Sequence, residues 1–343
     1  MTEPQVTIIV VPRERFSLTQ ESLESIYEYT ETPFHLVYVD GGSPTHIRQY
    51  LATQSQQKNF QLIRTNYYLT PNRARNIGLQ QVSTKYVVFI DNDVIVSPGW
   101  LQQMIQCAEE TGATIVTPLT GEGMPVHERV HCAGGEAHLV IKEEGSEVKR
   151  YILSKLHYRG RRLKDVQGKL TRKATEMAEF HCIFVRTAIF EKIGLLDEAV
   201  MNTKEHADFC MTVAQAGGTV YLEPSSLVTY VPGLSPCWSD LHFYMLRWSD
   251  AWGIASLKRL QKKWNLTEDE HGGGYLIWRR KLAIIRPLME HMPGGQKNKL
   301  LQKAFVLIEV ILNRLIVSHY ALSQVWHKSE PTPTPLQQSS SSS

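Results

Sequence analysis

Asp91-Asn92-Asp93 places two carboxylates two residues apart, directly after the apolar run Tyr86–Ile90. A turn at that point aims both acids at one spot. Hard divalent cations such as Mg²⁺ and Mn²⁺ take oxygen ligands, few of them from protein and the rest from phosphate and water. A cation held there would bridge a diphosphate and offset the charge developing on its leaving oxygen. The competing reading of D-x-D is an Asp-rich turn that caps the next helix, and the pattern alone does not separate the two. A second acid, Asp40, ends the apolar run His35–Val39 and precedes Gly41-Gly42-Ser43-Pro44; a strand-end helix cap is its alternative. In His131-Cys132-Ala133-Gly134-Gly135 the two glycines permit close backbone approach to a ligand, or make a plain turn. His127, His131 and His181 lack an H-x-x-x-H type of spacing, so no zinc site is expected. The five cysteines are scattered without a C-x-x-C pair, which suggests neither a disulfide framework nor a zinc ribbon.

The elements that must position these acids alternate in type. Val6–Val11 is a β-branched run too short for a helix, and Leu18–Tyr29 follows with Leu23, Ile26 and Tyr27 on one helical face. After the strand His35–Val39, a third short strand is expected at Phe60–Arg64. A helix starts at Pro71, with Thr70 as its N-cap. Tyr86–Ile90 is the fourth strand, Ser97-Pro98 opens another helix, and Ala113–Thr117 is a further strand. Strands separated by helices mean βαβ units and a mainly parallel sheet, and such sheets bind ligands beyond the carboxyl ends of their strands. Asp40 and Asp91–Asp93 both stand at such ends.

From Thr120 to Lys173 the pattern loosens, and residues 155–173 hold eight Lys or Arg against one acid, which reads as a mobile basic loop. Order resumes at Phe180–Phe190, then a helix near His206–Ala216 stopped by Gly217-Gly218, then a strand at Thr219–Leu222. The chain divides into residues 1–235, a helical region 236–330 and a Pro/Thr/Ser-rich tail 331–343 expected to be disordered.

Four segments carry a family resemblance. They are Val6–Ile26, Tyr38-Val39-Asp40-Gly41-Gly42-Ser43, Arg73-Ala74-Arg75-Asn76-Ile77-Gly78-Leu79 and Val87-Val88-Phe89-Ile90-Asp91-Asn92-Asp93. Their order and spacing are those of family-2-type glycosyltransferases. Ile193-Gly194-Leu195-Leu196-Asp197-Glu198 and Glu205-His206-Ala207-Asp208-Phe209 resemble that family's later "G-x-x-D-E … E-D-x-D-L" stretch. The resemblance spans roughly residues 5–232. It implies a GT-A fold, a Rossmann-like, mainly parallel mixed sheet flanked by helices, here with a helical C-terminal extension. It also implies a nucleotide diphosphate sugar donor, a glycan or lipid-linked hydroxyl acceptor, a Mn²⁺ or Mg²⁺ cofactor and an inverting transfer.

Carried over by position, Pro12 and Glu14 would meet the nucleoside, Asp40 the nucleobase or ribose, and Arg75 the donor. A structural salt bridge is the alternative for Arg75. Asp91 would face the ribose or the metal shell, and Asp93 would ligate the metal directly. Two positions depart from the family. Gly41 replaces the second acid of D-D-G-S, which puts the nucleobase preference in doubt, and His206 stands where the family has its base. The base is then Asp208, Glu205 or His206. The carboxylates come first because the family uses one, although histidine is the side chain whose ordinary pKa lies nearest neutrality. The same departures motivate the alternative of a catalytically degenerate binding or scaffolding protein. A nucleotidyltransferase would want a Gly-rich, Lys-containing loop after the first strand, where this chain has Pro12-Arg13-Glu14-Arg15.

The chain has 343 residues, 42% hydrophobic, 21% charged, with a formal charge of +3, which speaks against a nucleic-acid binder. The charge is uneven. Residues 236–330 carry 14 Lys and Arg against 8 Asp and Glu. Phe305, Ile308, Ile311, Leu312 and Leu315 recur at helical spacing there, which fits core packing or, with the basic surplus, peripheral membrane contact. Without a basic leader or an uninterrupted apolar span of about 18 residues, a cytoplasmic protein is expected, soluble or peripheral at the inner face of a membrane.

Overall fold

The computed structural model describes residues 3–232, 237–267, 280–286, 289, 292 and 298–327. The first half reads β1 (Val6–Val11), α1 (Thr19–Glu28), β2 (His35–Gly41), α2 (Thr45–Lys58), β3 (Gln61–Thr65), α3 (Pro71–Leu79) and β4 (Tyr86–Asp91). It continues with β5 (Val94–Val96), α4 (Trp100–Thr111), β6 (Ile115–Glu122) and β7 (Val130–Cys132). Next come β8 (Gly135–Glu144), β9 (Glu147–Leu156), α5 (Leu163–Val166), β10 (Lys173–Thr175), β11 (Cys182–Arg186) and α6 (Ile189–Ile193). The rest is α7 (Glu205–Gln215), β12 (Val220–Tyr230), α8 (Trp238–Arg247), α9 (Asp250–Trp264), a π-helical turn (Lys281–Ile285) and α10 (Lys299–His327).

The main sheet runs β10-β12-β6-β11-β4-β1-β2-β3, with β5 on β12 and β7 on β6. Pairings β1–β2, β1–β4, β2–β3 and β6–β12 are parallel, whereas β11 runs antiparallel to both β4 and β6. This is the mixed, mainly parallel GT-A sheet. Successive side chains of a strand face opposite sides, so Ile8, Val10, Val88 and Ile90 enter one core, with Leu23 and Ile26 of α1 and Met104 of α4. Ile9, Val11, Val87 and Phe89 enter the other, with Ala74 of α3 and Val213 of α7. β1 and β4 are buried on both faces, which is why they read as nearly continuous apolar runs, interrupted by Thr7 in β1 and ended by Asp91 in β4. At Gly78 an added Cβ would lie 2.5 Å from Ile9 Cγ2, so only glycine lets α3 seat on β1.

Three expectations change. The basic stretch 155–173 is not a plain loop: β9 extends to Leu156, α5 buries Leu163 and Val166, and β10 joins the sheet edge at Lys173. Two buried anchors outweigh a high charge density. β8 and β9 pair over ten residues each as a hairpin in a region with no clear alternation: Ala137, Leu139, Ile152 and Leu156 pack one face of its base on the core, and its tip is solvated. β12 is eleven residues rather than four, continuing past Pro224 through a register shift between Glu223 and Leu227. The Pro/Thr/Ser-rich tail lies outside the described residues. No helix among the described residues is long and apolar enough to cross a membrane.

Candidate active site

Asp91 closes β4, and the antiparallel register that sets Ile90 opposite Cys182 sets Asp91 opposite His181. The Asp91 N–H donates to the His181 carbonyl at 3.1 Å, and His181 Nδ1 lies 3.3 Å from Asp91 Oδ2. Arg75, fully buried in α3, donates from Nη2 to Asp91 Oδ1 at 2.9 Å and lies with its guanidinium 3.9 Å from the Phe180 ring centroid. Arg13 Nε stands 3.4 Å from Asp91 Oδ2 and its guanidinium lies over the Tyr230 ring. Burial raises the Asp91 pKa, against the pull of Arg75 and Arg13. Asn92 points the other way. Its side chain accepts from Arg13 N–H and donates to Arg15 O and Thr19 Oγ1, tying the turn to the loop after β1.

Asp93 is different. Both its carboxylate oxygens are buried and without a hydrogen-bond partner among the described residues, and Asp91 Oδ2 and His181 Nδ1 share that condition. Burial first, and then the Asp91 charge, push the Asp93 pKa well above the usual range. A fully buried carboxylate left unpaired is unfavourable, and a cation removes the penalty. The ligand atoms of Asp91, Asp93 and His181 lie within 4.8 Å of one another. Burial and the Arg13 charge hold His181 well below its ordinary pKa, and the neutral imidazole is the form that ligates metals. The donor set, two carboxylates and one imidazole, fits Mn²⁺ well and Mg²⁺ less closely.

Beside this cradle Glu179 is a node of three histidines. Its Oε2 is 2.6 Å from His131 Nε2 and 3.7 Å from His181 Nε2, and its Oε1 is 3.8 Å from His206 Nε2. Burial alone would raise its pKa, yet the three imidazoles hold it well below the carboxylate range. His131 is bracketed by Glu179 and Glu122; burial lowers its pKa, and the two acids together lift it to about 8. Thus His131 and His181, far apart in sequence, meet in space with rings 5.0 Å apart, while His127 bonds Thr229. A cavity of about 90 Å³ opens over this group, its lining including Arg13, Glu179, Glu205, His206, Tyr230 and Trp248.

The three base candidates now separate. Asp208 is buried, accepts from Trp264 Nε1 at 2.7 Å and from Lys263 Nζ at 2.8 Å, and does not line the cavity. Glu205 reaches the cavity with one oxygen held by Arg247 Nη2 at 2.9 Å. Opposing its burial, Arg247, His206 and Arg75 lower its pKa. His206 lines the cavity with its side chain 21% exposed, the most accessible of the three.

The donor-side residues are also engaged. Asp40 accepts from Ser43 N–H and Oγ and pairs with Arg64. Glu14 accepts from Tyr230 Oη at 2.6 Å and Trp248 Nε1 at 2.9 Å, and Pro12 is buried beside it in the chain. Asn76 of the R-N-x-G segment exchanges hydrogen bonds with the Leu196 backbone and donates to Glu198, fastening α3 to the segment after α6. Arg75 is the buried structural partner of Asp91. Sequence reasoning weighed His181 only for a zinc spacing and overlooked Glu179, Tyr230, Arg247 and Trp248. The signal available for the last pair was their adjacency at the end of α8, where charge and aromatic meet.

A paired-acid cradle at the carboxyl edge of a mixed, mainly parallel sheet flanked by helices is the GT-A class of architecture. The chain belongs to glycosyl transferase family 2, whose profile matches residues 7–194. It is 28% identical over 163 residues to a pre-mycofactocin glycosyltransferase of Mycobacterium tuberculosis, covering 47% of this chain and 30% of the relative. It is 26% identical over 110 residues to an uncharacterized glycosyltransferase of Rickettsia bellii, covering 32% and 16%. The chain thus spans less than a third of the length of these two curated relatives. Among solved structures, GalNAc-T7 with UDP, GalNAc and Mn²⁺ is similar with a TM-score of 0.50 and 15% identity, over 84% of this chain and 58% of that one.

Proposed function

We propose that this protein transfers a sugar from a nucleotide diphosphate donor to a hydroxyl of a glycan or lipid-linked acceptor, with inversion. The observation that carries the reading is Asp93, whose two buried oxygens have no hydrogen-bond partner among the described residues and which shares a cradle with Asp91 and His181. Those three residues would hold Mn²⁺ or Mg²⁺. When bound, the cation supplies charge neutralisation for the departing diphosphate.

The chain's own residues do the rest. Arg13 offers a second positive charge beside the cradle, and Arg75 keeps Asp91 oriented. We assign the proton acceptor to His206, because Asp208 is saturated by Lys263 and Trp264 and Glu205 is tied to Arg247. As the acceptor oxygen bonds the anomeric carbon, the sugar–diphosphate bond breaks with its electron pair on the diphosphate. The hydroxyl proton passes to the His206 imidazole, whose Nε2 lies 3.8 Å from Glu179 Oε1. A cavity of about 90 Å³ is smaller than a whole nucleotide sugar needs. Donor entry would therefore widen the cavity, whose lining includes Arg13 and Trp248.

The degenerate-scaffold reading has one observation in its favour: the Asp40 carboxylate is already occupied by Ser43 and Arg64. Calorimetry with Mn²⁺ and UDP, the pair that GalNAc-T7 holds, distinguishes the readings. Metal-dependent UDP binding lost in Asp93→Ala supports the transferase, and so does release of free sugar from one of a panel of nucleotide sugars. Absence of metal-dependent binding, or equal binding by the variant, overturns it in favour of the scaffold.

A further inference from the structure

α10 turns three polar residues toward the protein: Glu309 Oε1 is 2.7 Å from the buried Arg280 Nε, Asn313 donates to Met245 O at 2.8 Å, and Tyr320 donates to Tyr68 O. At 3.6 residues per turn the opposite side is apolar. There Leu300, Leu307, Ile308, Ile311, Leu312 and Leu315 are between 46% and 80% exposed. That stripe runs for about 22 Å at the helical rise per residue. A contiguous apolar face of this kind is rare on a protein surface that meets only water.

Charge identifies what covers it. Lys299, Lys303 and Arg314 are exposed on the same helix, whose single acid, Glu309, is buried on Arg280. At the N-terminal end of α10 a cavity of about 760 Å³ has Ile285 and Met289 in its lining and Lys281, Arg286, Lys299 and Lys303 around it. An apolar interior within a ring of cations suits a molecule with an anionic head and a hydrocarbon body. A second copy of the chain across a two-fold axis would set these cations against one another. The helix does not qualify to span a bilayer, so it would lie in the interface plane.

We propose that this corner docks on a membrane leaflet bearing anionic phospholipid. The outward face of α10 beds among the acyl chains, and the cavity takes a phosphate headgroup with the first part of its chain. The docking is independent of the sugar-transfer reading, since none of these side chains reaches Asp91–Asp93.

The test is flotation of the full chain with phosphatidylglycerol/phosphatidylcholine vesicles and with pure phosphatidylcholine vesicles. The wild type is expected to float with the first and to stay down with the second, and to dissociate in high salt. Lys299→Glu with Lys303→Glu should lower partitioning at least tenfold, at roughly fivefold per cation near an anionic surface. Leu307→Glu with Ile311→Glu should abolish it, and Leu195→Glu, at an exposed apolar residue elsewhere, should leave it unchanged. Circular dichroism and Mn²⁺–UDP calorimetry on each variant report folding and the donor site separately. A wild type that stays down with both vesicles overturns the proposal, as does equal binding to neutral vesicles. A lipid-free dimer that Leu307→Glu/Ile311→Glu dissociates also overturns it, because a second copy would then be the occupant.

Discussion

His181 Nδ1 lies 3.3 Å from Asp91 Oδ2 because the two residues are cross-strand neighbours, joined by a backbone hydrogen bond of 3.1 Å where β11 runs antiparallel to β4. The pairing is a consequence of sheet register. A one-residue slip would turn the imidazole to the other face. Asp93, two residues beyond, completes the cradle through the turn that Asn92 anchors to the loop after β1.

Asp93→Asn should separate binding from stability. In EDTA the variant is expected to be more stable than the wild type at pH 7–8, by about 1–3 kcal/mol, because a buried carboxylate beside Asp91 is replaced by a neutral isostere. The sign follows from the raised pKa: a carboxyl that holds its proton more tightly when folded loses stability as pH rises from the unfolded value toward the folded one. Mn²⁺ binding by calorimetry should disappear in the same variant. Denaturation in EDTA showing a less stable Asp93→Asn would contradict the unpaired state of this group.

His206→Ala and Asp208→Ala should fail in different ways. The first is expected to lower kcat by roughly 10²–10⁴ with melting temperature and Mn²⁺–UDP affinity preserved, as for removal of a proton acceptor. The second leaves Lys263 and the Trp264 indole without their buried acceptor and should lower stability by about 3 kcal/mol. Single-turnover rates beside melting curves decide it. The assignment fails if His206→Ala turns over normally.

His131 should make stability depend on pH above neutrality. Its pKa of about 8 in the fold exceeds the unfolded value, so its contribution is complete below pH 6.5 and is lost as pH rises through about 8. The difference amounts to about 2 kcal/mol at 1.36 kcal/mol per pKa unit. Urea denaturation of wild type and His131→Gln between pH 6 and 9 checks this. Parallel curves for the two proteins would refute it.

Gly78→Ala is expected to destabilise the chain by about 1–3 kcal/mol, because the new methyl meets Ile9 Cγ2 at 2.5 Å inside a packed core. Chemical denaturation measures the loss. A neutral effect would mean that α3 lifts from β1 without penalty.

The βαβ alternation of the first 117 residues was legible because each element carries its own pattern. β1 and β4 are mostly apolar because both faces are covered, and Pro71 marks the start of α3 by its fixed backbone. Asp40, Asp91 and Asp93 were legible as site candidates because parallel strands present their carboxyl ends to ligands, a rule that needs only strand direction. The β8–β9 hairpin was not legible, since only Ala137, Leu139, Ile152 and Leu156 at its base pack on the core and its solvated tip carries no pattern.

What sequence alone determined is therefore local: which runs are strands, which acids end them, and where a helix such as α3 starts. Tertiary structure decided what those acids meet. His181 reaches Asp91, and Glu179 reaches His131 and His206, only through the antiparallel entry of β11, and residues brought together across a sheet leave no periodic trace along the chain. Asp208 and His206 are two residues apart on α7, yet packing of α9 covers the first and leaves the second at the cavity. The same holds for α10: its sequence specifies an amphipathic helix, but which side faces the protein depends on where Arg280 and the Met245 carbonyl stand.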